Sequence, residues 1–397
     1  MTNHHRDCAK TRYAARPTLA VGAWLLVAVL ACGGSTVVGQ GEGGAGASST
    51  TSSVGGGSAG GTPSGGGGPC ADVVATPPMA VAAGLAAHRP LIAARSDGAF
   101  GIAWEANGQL FTTILGTDGE FTLPPQPLGP GTWSDGAIAS HEDEHVVLRY
   151  TTETIVERID GAGQVISVPT SISSMHHVSA GSDGYLLTHN DGTGKLAHAF
   201  LGYDASAVGP SQLFPNVGSL DCCGGRRWNA HGSRSGGFVA LWRSSSNSTG
   251  LDIVRFSADG TQVPGSHGFI DFTSAYPTHA ATHGSGALFS SDEEVMLIGE
   301  DGALQGAASF ALGIGSASSS GTAIRGAYGT SRGIDWYAID LRGGEPTILL
   351  RMEPGLATTE PDQSTSPRVA FDGEGFGVVW LAPPSEVMFA YLIPCAE

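Results

Sequence analysis

Two of the six cysteines, Cys222 and Cys223, are adjacent in the sequence and could carry redox or metal chemistry. Adjacent cysteines can also close a strained disulfide ring, which makes a rigid turn and persists in an oxidising compartment. A reduced, metal-binding pair stays open as the alternative, although it lacks C-x-x-C spacing and has no nearby histidine beyond His231. The spacing therefore favours a vicinal disulfide.

The loop after these cysteines is the most basic stretch of an acidic chain. It contains Arg226, Arg227 and Trp228 in succession. Guanidinium groups beside an indole ring can bind an anion or a carbohydrate. A solvated loop without a ligand has the same composition, so both interpretations stay open. These three residues form the candidate binding loop.

Histidines form two i, i+4 pairs, His141/His145 and His279/His283. On a β-strand such residues share a face but lie about 13 Å apart, too far to bind one metal ion. We therefore expect no metal site and no cofactor. Loop positions at the rim of the domain are the expectation for eight histidines: His141, His145, His176, His177, His189, His198, His279 and His283.

Hydrolytic chemistry has no clear sequence signature. No G-x-S-x-G motif occurs in a strand–turn–helix context. The carboxylate runs 142–144 and 292–294 are interpreted as exposed charge at strand or loop edges. The glycine-rich stretches SDGAFG and DGEGFG precede no helix and so do not resemble phosphate-binding loops. No catalytic residue is predicted.

Composition favours an extracellular, turn-rich β protein. The chain has 397 residues, of which 61 are glycine, and only 14% are charged. Its net charge is −17 with 19 Lys and Arg in total, which argues against nucleic-acid partners because phosphate binding needs clustered cations.

Residues 1–31 have the organisation of a signal peptide. Arg6, Lys10, Arg12 and Arg16 precede an apolar run, which ends at Val29-Leu30-Ala31-Cys32. This ending resembles a bacterial lipobox, and the resemblance implies that Cys32 is cleaved to the N-terminus and carries acyl chains such as palmitate. An ordinary signal peptide with a coincidental Cys32 is the alternative. In the lipoproteins that this segment resembles, an Asp directly after the lipidated cysteine signals retention in the inner membrane. Gly33 occupies that position here, so the resemblance implies the outer membrane or cell surface.

A flexible tether follows in residues 32–69. It has 16 glycines among the 37 residues 33–69 and almost no large apolar side chain. Such a segment cannot bury enough surface to offset its backbone entropy. We expect a disordered linker that holds a folded domain, residues 70–397, away from the membrane.

The domain contains repeats. The clearest pair, residues 89–119 and 366–394, each reads as an apolar strand, a Gly-rich turn, a second strand ending in Trp, a loop and a third strand. Seven units with spacings of about 41–51 residues match the period of β-propeller blades. Their anchors on the first strand are Ala93, Ala139, Ala180, Ala230, Ala281, Arg325 and Ala370. The sequence therefore predicts an all-β, seven-bladed propeller.

Two features recur within the units. Asp-Gly pairs at 118–119, 259–260 and 301–302 predict hairpins with primed turns, because both residues tolerate positive φ. Aromatic residues end the second strand of five units and are interpreted first as packing between blades, with a ligand-stacking ring as the alternative: Trp104, Tyr150, Trp242, Trp336 and Trp380.

The last unit lacks a fourth strand, whereas an orphan strand follows Cys70. If that strand completes the last blade, the ring closes by joining the two ends of the domain. Cys70 and Cys395 then stand where other blades have a hairpin turn, and a disulfide between them would stabilise the fold by several kcal/mol.

The lipobox, the Gly/Ser tether and the repeats together resemble tethered propeller lipoproteins of myxobacterial type. The resemblance covers essentially the whole chain and implies location and fold rather than activity. We expect a monomer, anchored to the membrane by its lipid, that binds a protein or glycan partner without catalysis. A hydrolase or lyase acting on extracellular polysaccharide is the alternative, and a scaffold without a ligand is a third hypothesis.

Overall fold

The computed structural model divides the chain into two units, Met1–Gly67 and Gly68–Glu397. The residues that it describes all belong to the second unit: 73–74, 76–82, 87–133, 137–170, 172, 175–191, 195–214, 229–232, 236–242, 250–271, 279–283, 286–290, 294–309, 316–319, 324–330, 333–340, 347–352, 367–382 and 385–393. The signal peptide and the tether of residues 1–69 therefore lie outside the described residues. So do all the predicted site residues: Cys32, Cys70, Cys222, Cys223, Arg226, Arg227, Trp228 and Cys395.

The described residues form 29 strands in seven antiparallel sheets. They include no helix long and apolar enough to cross a membrane. Two short strands begin the unit: β1 (Val73–Val74) and β2 (Met79–Ala82). Each sheet that follows is one blade, and its strands pair in chain order.

Blade 1 contains β3 (Ala87–Ala94), β4 (Phe100–Ala106), β5 (Gln109–Leu115) and β6 (Phe121–Pro130). Blade 2 contains β7 (Ile138–His141), β8 (Glu144–Tyr150), β9 (Thr154–Ile159) and β10 (Val165–Pro169). Blade 3 contains β11 (Met175–Ala180), β12 (Gly184–Asn190), β13 (Leu196–Gly202) and β14 (Gln212–Leu213). Blade 4 contains β15 (Asn229–Gly232), β16 (Phe238–Trp242), β17 (Gly250–Phe256) and β18 (Gly268–Asp271).

Blade 5 contains β19 (His279–His283), β20 (Gly286–Ser290), β21 (Glu294–Ile298) and β22 (Leu304–Ser309). Blade 6 contains β23 (Ser316–Ser319), β24 (Ile324–Thr330), β25 (Gly333–Asp340) and β26 (Thr347–Met352). Blade 7 contains β27 (Arg368–Phe371), β28 (Phe376–Ala382) and β29 (Glu386–Ile393), with β1 and β2 both paired to β29. The domain is a seven-bladed β-propeller, as the repeat period predicts.

The predicted closure of the ring by the N-terminal strand is confirmed. Val73 pairs with Ile393, and Met79 pairs with Phe389 on the same strand. The closing segment is broken between β1 and β2, where Pro77 and Pro78 cannot donate ladder hydrogen bonds. At the break, the hydroxyl of Thr76 accepts a hydrogen bond from the backbone N–H of Tyr391 at 3.0 Å. A side chain thus replaces the missing strand partner.

In blades 1 to 4, burial decreases from the middle strands to the outer strand. All five residues of β16 are buried, whereas β6 has no buried residue. The middle strands are apolar on both faces because neighbouring blades cover both. The outer strand β6 has a free edge and contains four prolines, which block pairing with another chain.

The repeated Phe-Gly pair of the second strand explains how adjacent blades fit together. A Cβ on Gly377 of blade 7 would lie 2.6 Å from the ring of Phe100 in blade 1. A Cβ on Gly101 would likewise lie 2.7 Å from the His145 imidazole in blade 2. In each pair the glycine therefore leaves space for an aromatic ring from the next blade.

The Asp-Gly turns differ from the prediction. They join third to fourth strands, but only Gly119, Gly260 and Gly302 take positive φ, at 85°, 75° and 84°. The aspartates instead accept hydrogen bonds from the backbone N–H two residues on, as Asp118 does from Glu120 at 3.0 Å. This arrangement is typical of a type I turn followed by a left-handed glycine. A primed turn is found at Asn107-Gly108, where φ is 52° and 72°.

The sixth repeat is displaced by one strand from its prediction. Arg325 lies on the second strand of blade 6, and the first strand is the Ser-Ala-Ser-Ser run of β23. Trp336 accordingly lies on the third strand rather than at the end of the second. The small polar residues of β23 lack the apolar pattern that identifies a strand from sequence.

Candidate functional site

The first strands of the seven blades surround a central channel. Each first strand contacts the first strand of the next blade, and β27 contacts β3, so the ring is closed. One edge of each first strand pairs with its second strand, and no strand among the described residues pairs with the other edge. That free edge presents backbone N–H and C=O groups towards the axis. The channel wall is therefore polar even where its side chains are alanine.

The channel encloses a cavity of about 340 Å³, within the range of small-molecule sites. It is lined by residues from six of the seven first strands: Ile92, Ala93, Ala94, Ile138, Ala139, Ser140, His177, Val178, Ser179, Ala180, Ala280, Ala281, Thr282, Ser318, Ser319, Val369, Ala370 and Phe371. The side chains of β15 in blade 4 are not described. No Asp, Glu, Lys or Arg occurs among these lining residues.

The polar lining groups face each other across the axis. His177 and Ser179 come from blade 3, whereas Ser318 and Ser319 come from blade 6, three blades away in a ring of seven. Ser140 of blade 2 and Thr282 of blade 5 have the same relationship. Hydroxyl groups thus approach the cavity from opposite sides.

The part of the wall without polar side chains comes from adjacent blades 7 and 1. Ile92, Ala93 and Ala94 line it from β3, and Val369 and Ala370 line it from β27. Phe371 ends β27 immediately before the turn to β28 and packs against Phe376, with ring centroids 4.8 Å apart. The half-buried ring of Phe371 therefore stands at the end of the channel wall.

His177 is the titratable side chain among the lining residues. It is 6% exposed, and its Nδ1 lies 3.4 Å from the hydroxyl of Ser179. Desolvation by burial lowers the pKa of His177 to about 3. The imidazole is therefore neutral at physiological pH, and the described wall of the cavity has no net charge.

Among the described turns, charge is concentrated at one end of the ring. We call this end the acidic face; it carries the turns between first and second strands and between third and fourth strands. A hydrogen bond from Ser96 N to Glu142 O at 3.1 Å joins two turns of the first kind in adjacent blades. The antiparallel order of four strands in a blade places the second kind of turn at the same end. The described turns contain 13 carboxylates: Asp97, Asp118, Glu120, Glu142, Asp143, Asp160, Asp183, Asp204, Asp259, Glu300, Asp301, Asp372 and Glu374.

Within the same described turns, Arg95 is the single Lys or Arg. Its side chain is buried and binds Asp97 through two nitrogens, Nη2 at 2.8 Å and Nε at 3.2 Å. The lining segments of the channel adjoin these turns, so the channel opens at the acidic face. The resulting negative potential attracts cations and repels anionic ligands.

Other polar groups link neighbouring blades. Glu144 was predicted to belong to an exposed charge run, but it is partly buried and accepts hydrogen bonds from Arg158 and Tyr185, each at 2.9 Å. Burial, followed by the Glu144 carboxylate, raises the pKa of Tyr185. The ring of His141 stacks on Tyr203 with centroids 3.7 Å apart. These contacts stabilise the junction of blades 2 and 3.

The prediction of loop histidines is wrong for the residues that the structure describes. All eight lie on strands, and four of them are nearly inaccessible to solvent: His145, His177, His189 and His198. No group of three His, Cys, Asp or Glu within the described part of the chain could hold a metal ion. An imidazole can replace an aromatic residue in a blade interface, as His145 does, and no local signal distinguishes that role.

The tryptophans confirm the packing interpretation where their side chains are described. Trp104, Trp242 and Trp380 are at most 1% exposed. Tyr150, at the corresponding place in blade 2, is 36% exposed. The sequence analysis did not identify the residues that line the channel. The recurrence of Ala and Ser in the first strand of the units was the pattern that could have indicated them.

Solved structures with similar folds have little sequence identity to this chain. A chain in the crystal structure of the mitotic checkpoint complex is 13% identical, with a TM-score of 0.51, over 79% of this chain and 90% of its own. The β-propeller domain of the Trilobed protease from Pyrococcus furiosus is 11% identical, with a TM-score of 0.48, over 77% and 95%. BamB from Moraxella catarrhalis is 12% identical, with a TM-score of 0.45, over 76% and 84%.

These similarities concern the fold alone. No protein-family model matches the chain, and no curated protein sequence matches it.

Proposed function

We propose that this protein is a lipid-anchored, extracytoplasmic propeller that binds a protein or glycan partner at the acidic-face end of its central channel, without catalysis. The observation that carries the proposal is the closed ring of first strands around a cavity of about 340 Å³ with neutral polar groups in its wall. Binding sites of this size typically combine an apolar surface with a few polar groups that orient the ligand.

The rigidity of the ring supports a binding role. Neighbouring blades interlock through close packing, and the two ends of the domain pair with each other. A preorganised wall lowers the ordering entropy that a ligand must offset. The lipid anchor is supported by the basic residues before the apolar run and by Cys32 at its end. Acyl chains on Cys32 would hold the protein at a bilayer, since each buried CH₂ contributes about 0.8 kcal/mol.

The anchor is tested by replacing Cys32 with Ser. We expect the wild-type chain to fractionate with membranes and the Cys32→Ser chain to be soluble after export. Metabolic labelling with palmitate should mark the wild type alone. Membrane fractionation and labelling that are unchanged by the substitution would contradict the anchor.

Binding is tested with the unlipidated chain and isolated cell envelopes of the producing bacterium. We expect saturable binding that Ala281→Trp abolishes, because an indole at this position would fill the channel. Thr152→Trp is the matched control, since Thr152 is exposed in the turn between β8 and β9, at the opposite end of the ring. Thermal melting checks that both variants are folded. Equal binding by the two variants, or no binding by the parent chain, would contradict a site in the channel.

A further inference from the structure

The channel has two chemically different walls, which together indicate a class of ligand. Blades 7 and 1 contribute only aliphatic side chains and the ring of Phe371, whereas all the hydroxyls and the one imidazole come from blades 2, 3, 5 and 6, where Ile138, Val178 and four alanines also line the cavity. A pyranose ring has the same division, with C–H groups on its faces and hydroxyls around its edge. We infer that the channel binds an uncharged saccharide, one sugar ring of which enters the cavity. This inference rests on the proposed function and narrows it.

The polar groups are built into the wall rather than mobile at the surface. Ser179, Ser318 and Ser319 are 4%, 4% and 6% exposed. The hydroxyl of Ser140 is buried and has no hydrogen-bond partner among the described residues. A buried polar atom without a partner is uncommon in folded proteins, and a ligand hydroxyl in the cavity would satisfy this one.

The donors and acceptors of the channel match a hydroxyl-rich ligand. A hydroxyl group both donates and accepts hydrogen bonds, as sugar hydroxyls do. The free edges of the first strands add backbone N–H and C=O groups of both types. The neutral imidazole of His177 and the absence of charged side chains from the described lining leave an ionic ligand group without a counter-charge inside. The cavity therefore favours an uncharged ligand.

The acidic face adds selectivity. A sugar that carries carboxylate or sulfate groups must pass carboxylates such as Asp97, Asp183 and Asp372, which repel it. A neutral sugar is not repelled. Phe371 stands where β27 ends at this face and can stack on a sugar ring as it enters.

Titration calorimetry on the full-length protein in detergent tests the inference. The probes are maltotriose and chitotriose as neutral sugars, trigalacturonate as an anionic sugar, and a lysine-rich peptide as a cationic protein segment. We expect saturable binding of at least one neutral sugar. Replacing Phe371 with Ala should weaken it by about tenfold, from the loss of one stacking ring. Phe121→Ala is the matched control, because Phe121 is exposed on β6, and it should leave affinity unchanged.

A second variant guards against misfolding. Ser140→Ala removes the channel hydroxyl that has no partner among the described residues, and we expect weaker sugar binding with an unchanged melting curve. Binding of trigalacturonate as tight as that of the neutral sugars would overturn the inference. So would binding of the peptide alone, or neutral binding that neither Phe371→Ala nor Ser140→Ala affects.

The two experiments distinguish a wrong ligand class from a wrong binding site. If no sugar binds, but envelope binding persists and is abolished by Ala281→Trp, the ligand class is wrong and the channel site stands. If both sugar and envelope binding are absent, both proposals fail.

Discussion

Val73 and Ile393, near the two ends of the domain, are register partners in one antiparallel sheet. The same sheet contains a hydrogen bond from Tyr391 N to Thr76 Oγ1, which joins residues 315 positions apart. The ring thus has no free end between blades 7 and 1. This closure holds the channel walls of β27 and β3 next to each other.

The closure leads to the prediction of a disulfide. Cys70 precedes Val73 by three residues and Cys395 follows Ile393 by two, so the described pairing brings both chain segments to the same place in the sheet. We expect non-reducing peptide mapping to recover the two cysteines in one linked peptide. Replacing either with Ser should lower the free energy of unfolding by about 2–5 kcal/mol, and the double replacement should add nothing further. Mapping that finds these cysteines unlinked would refute the prediction.

The Phe-Gly packing predicts a steric effect. Gly377→Ala places a methyl group 2.6 Å from the Phe100 ring in a fully buried interface. We expect a loss of about 1–3 kcal/mol in chemical denaturation. Gly202→Ala is the control, because its Cβ would meet Ala205 at 3.8 Å and the Asp183 carbonyl oxygen at 3.9 Å, both ordinary contact distances. Its stability should stay within about 0.5 kcal/mol of the parent. Adding Phe100→Leu to Gly377→Ala should recover part of the loss, whereas additive losses would show that the ring is not the obstacle.

Buried histidines predict a pH dependence of stability. Desolvation by burial lowers the pKa of His145 and His177 to about 3 and that of His198 to about 4. In the unfolded chain these residues bind protons near pH 6.5, whereas in the folded chain they stay neutral until much lower pH. Unfolding therefore takes up protons in this window, and stability falls as pH drops from about 6.5 towards 4. At pH 5 each histidine lowers the free energy of unfolding by about 2 kcal/mol.

The replacement His145→Phe isolates one of these contributions. Phe100 and Phe376 start the second strands of their blades, as His145 nearly does in blade 2, so a phenyl ring suits the position. We expect the loss of stability between pH 7 and pH 5, measured by thermal melting, to shrink by about a third. Replacing the exposed His88 with Gln should leave the loss of stability between pH 7 and pH 5 unchanged. An unaltered pH dependence in His145→Phe would exclude this residue as a source.

A buried ion pair in blade 2 predicts a large electrostatic effect. Glu157 is fully buried and accepts hydrogen bonds from Arg149, at 2.7 Å from Nε, and from Ser167. Glu157→Gln leaves the guanidinium without its counter-charge, so we expect a loss of about 3–5 kcal/mol in urea denaturation. Glu120→Gln, in an exposed turn, should change stability by less than about 0.5 kcal/mol. Similar losses in both variants would contradict the importance of the pair.

Much of the fold could be predicted because its signals are local. The recurrence of a strand–turn–strand pattern at spacings of about 41–51 residues identified most blades, and the orphan strand near Cys70 identified the closing segment. Blade 6 was misplaced because the Ser-Ala-Ser-Ser run of β23 lacks the alternation of an ordinary strand. The type of the Asp-Gly turns was also predicted wrongly. The aspartate backbone does not have positive φ, and the aspartate side chain accepts a hydrogen bond within the turn instead.

The amino-acid sequence by itself determined a repeated β architecture, its number of units and the pairing of its ends, because each depends on short-range patterns repeated along the chain. Only the tertiary structure decided that His177 and Ser318 line one cavity and that His145 lies in an interface between blades. These neighbours belong to different blades, and ring closure alone brings them together. The acidic face has the same origin, since six of the seven blades contribute at least one of its described carboxylates and the antiparallel order of the strands places them at one end.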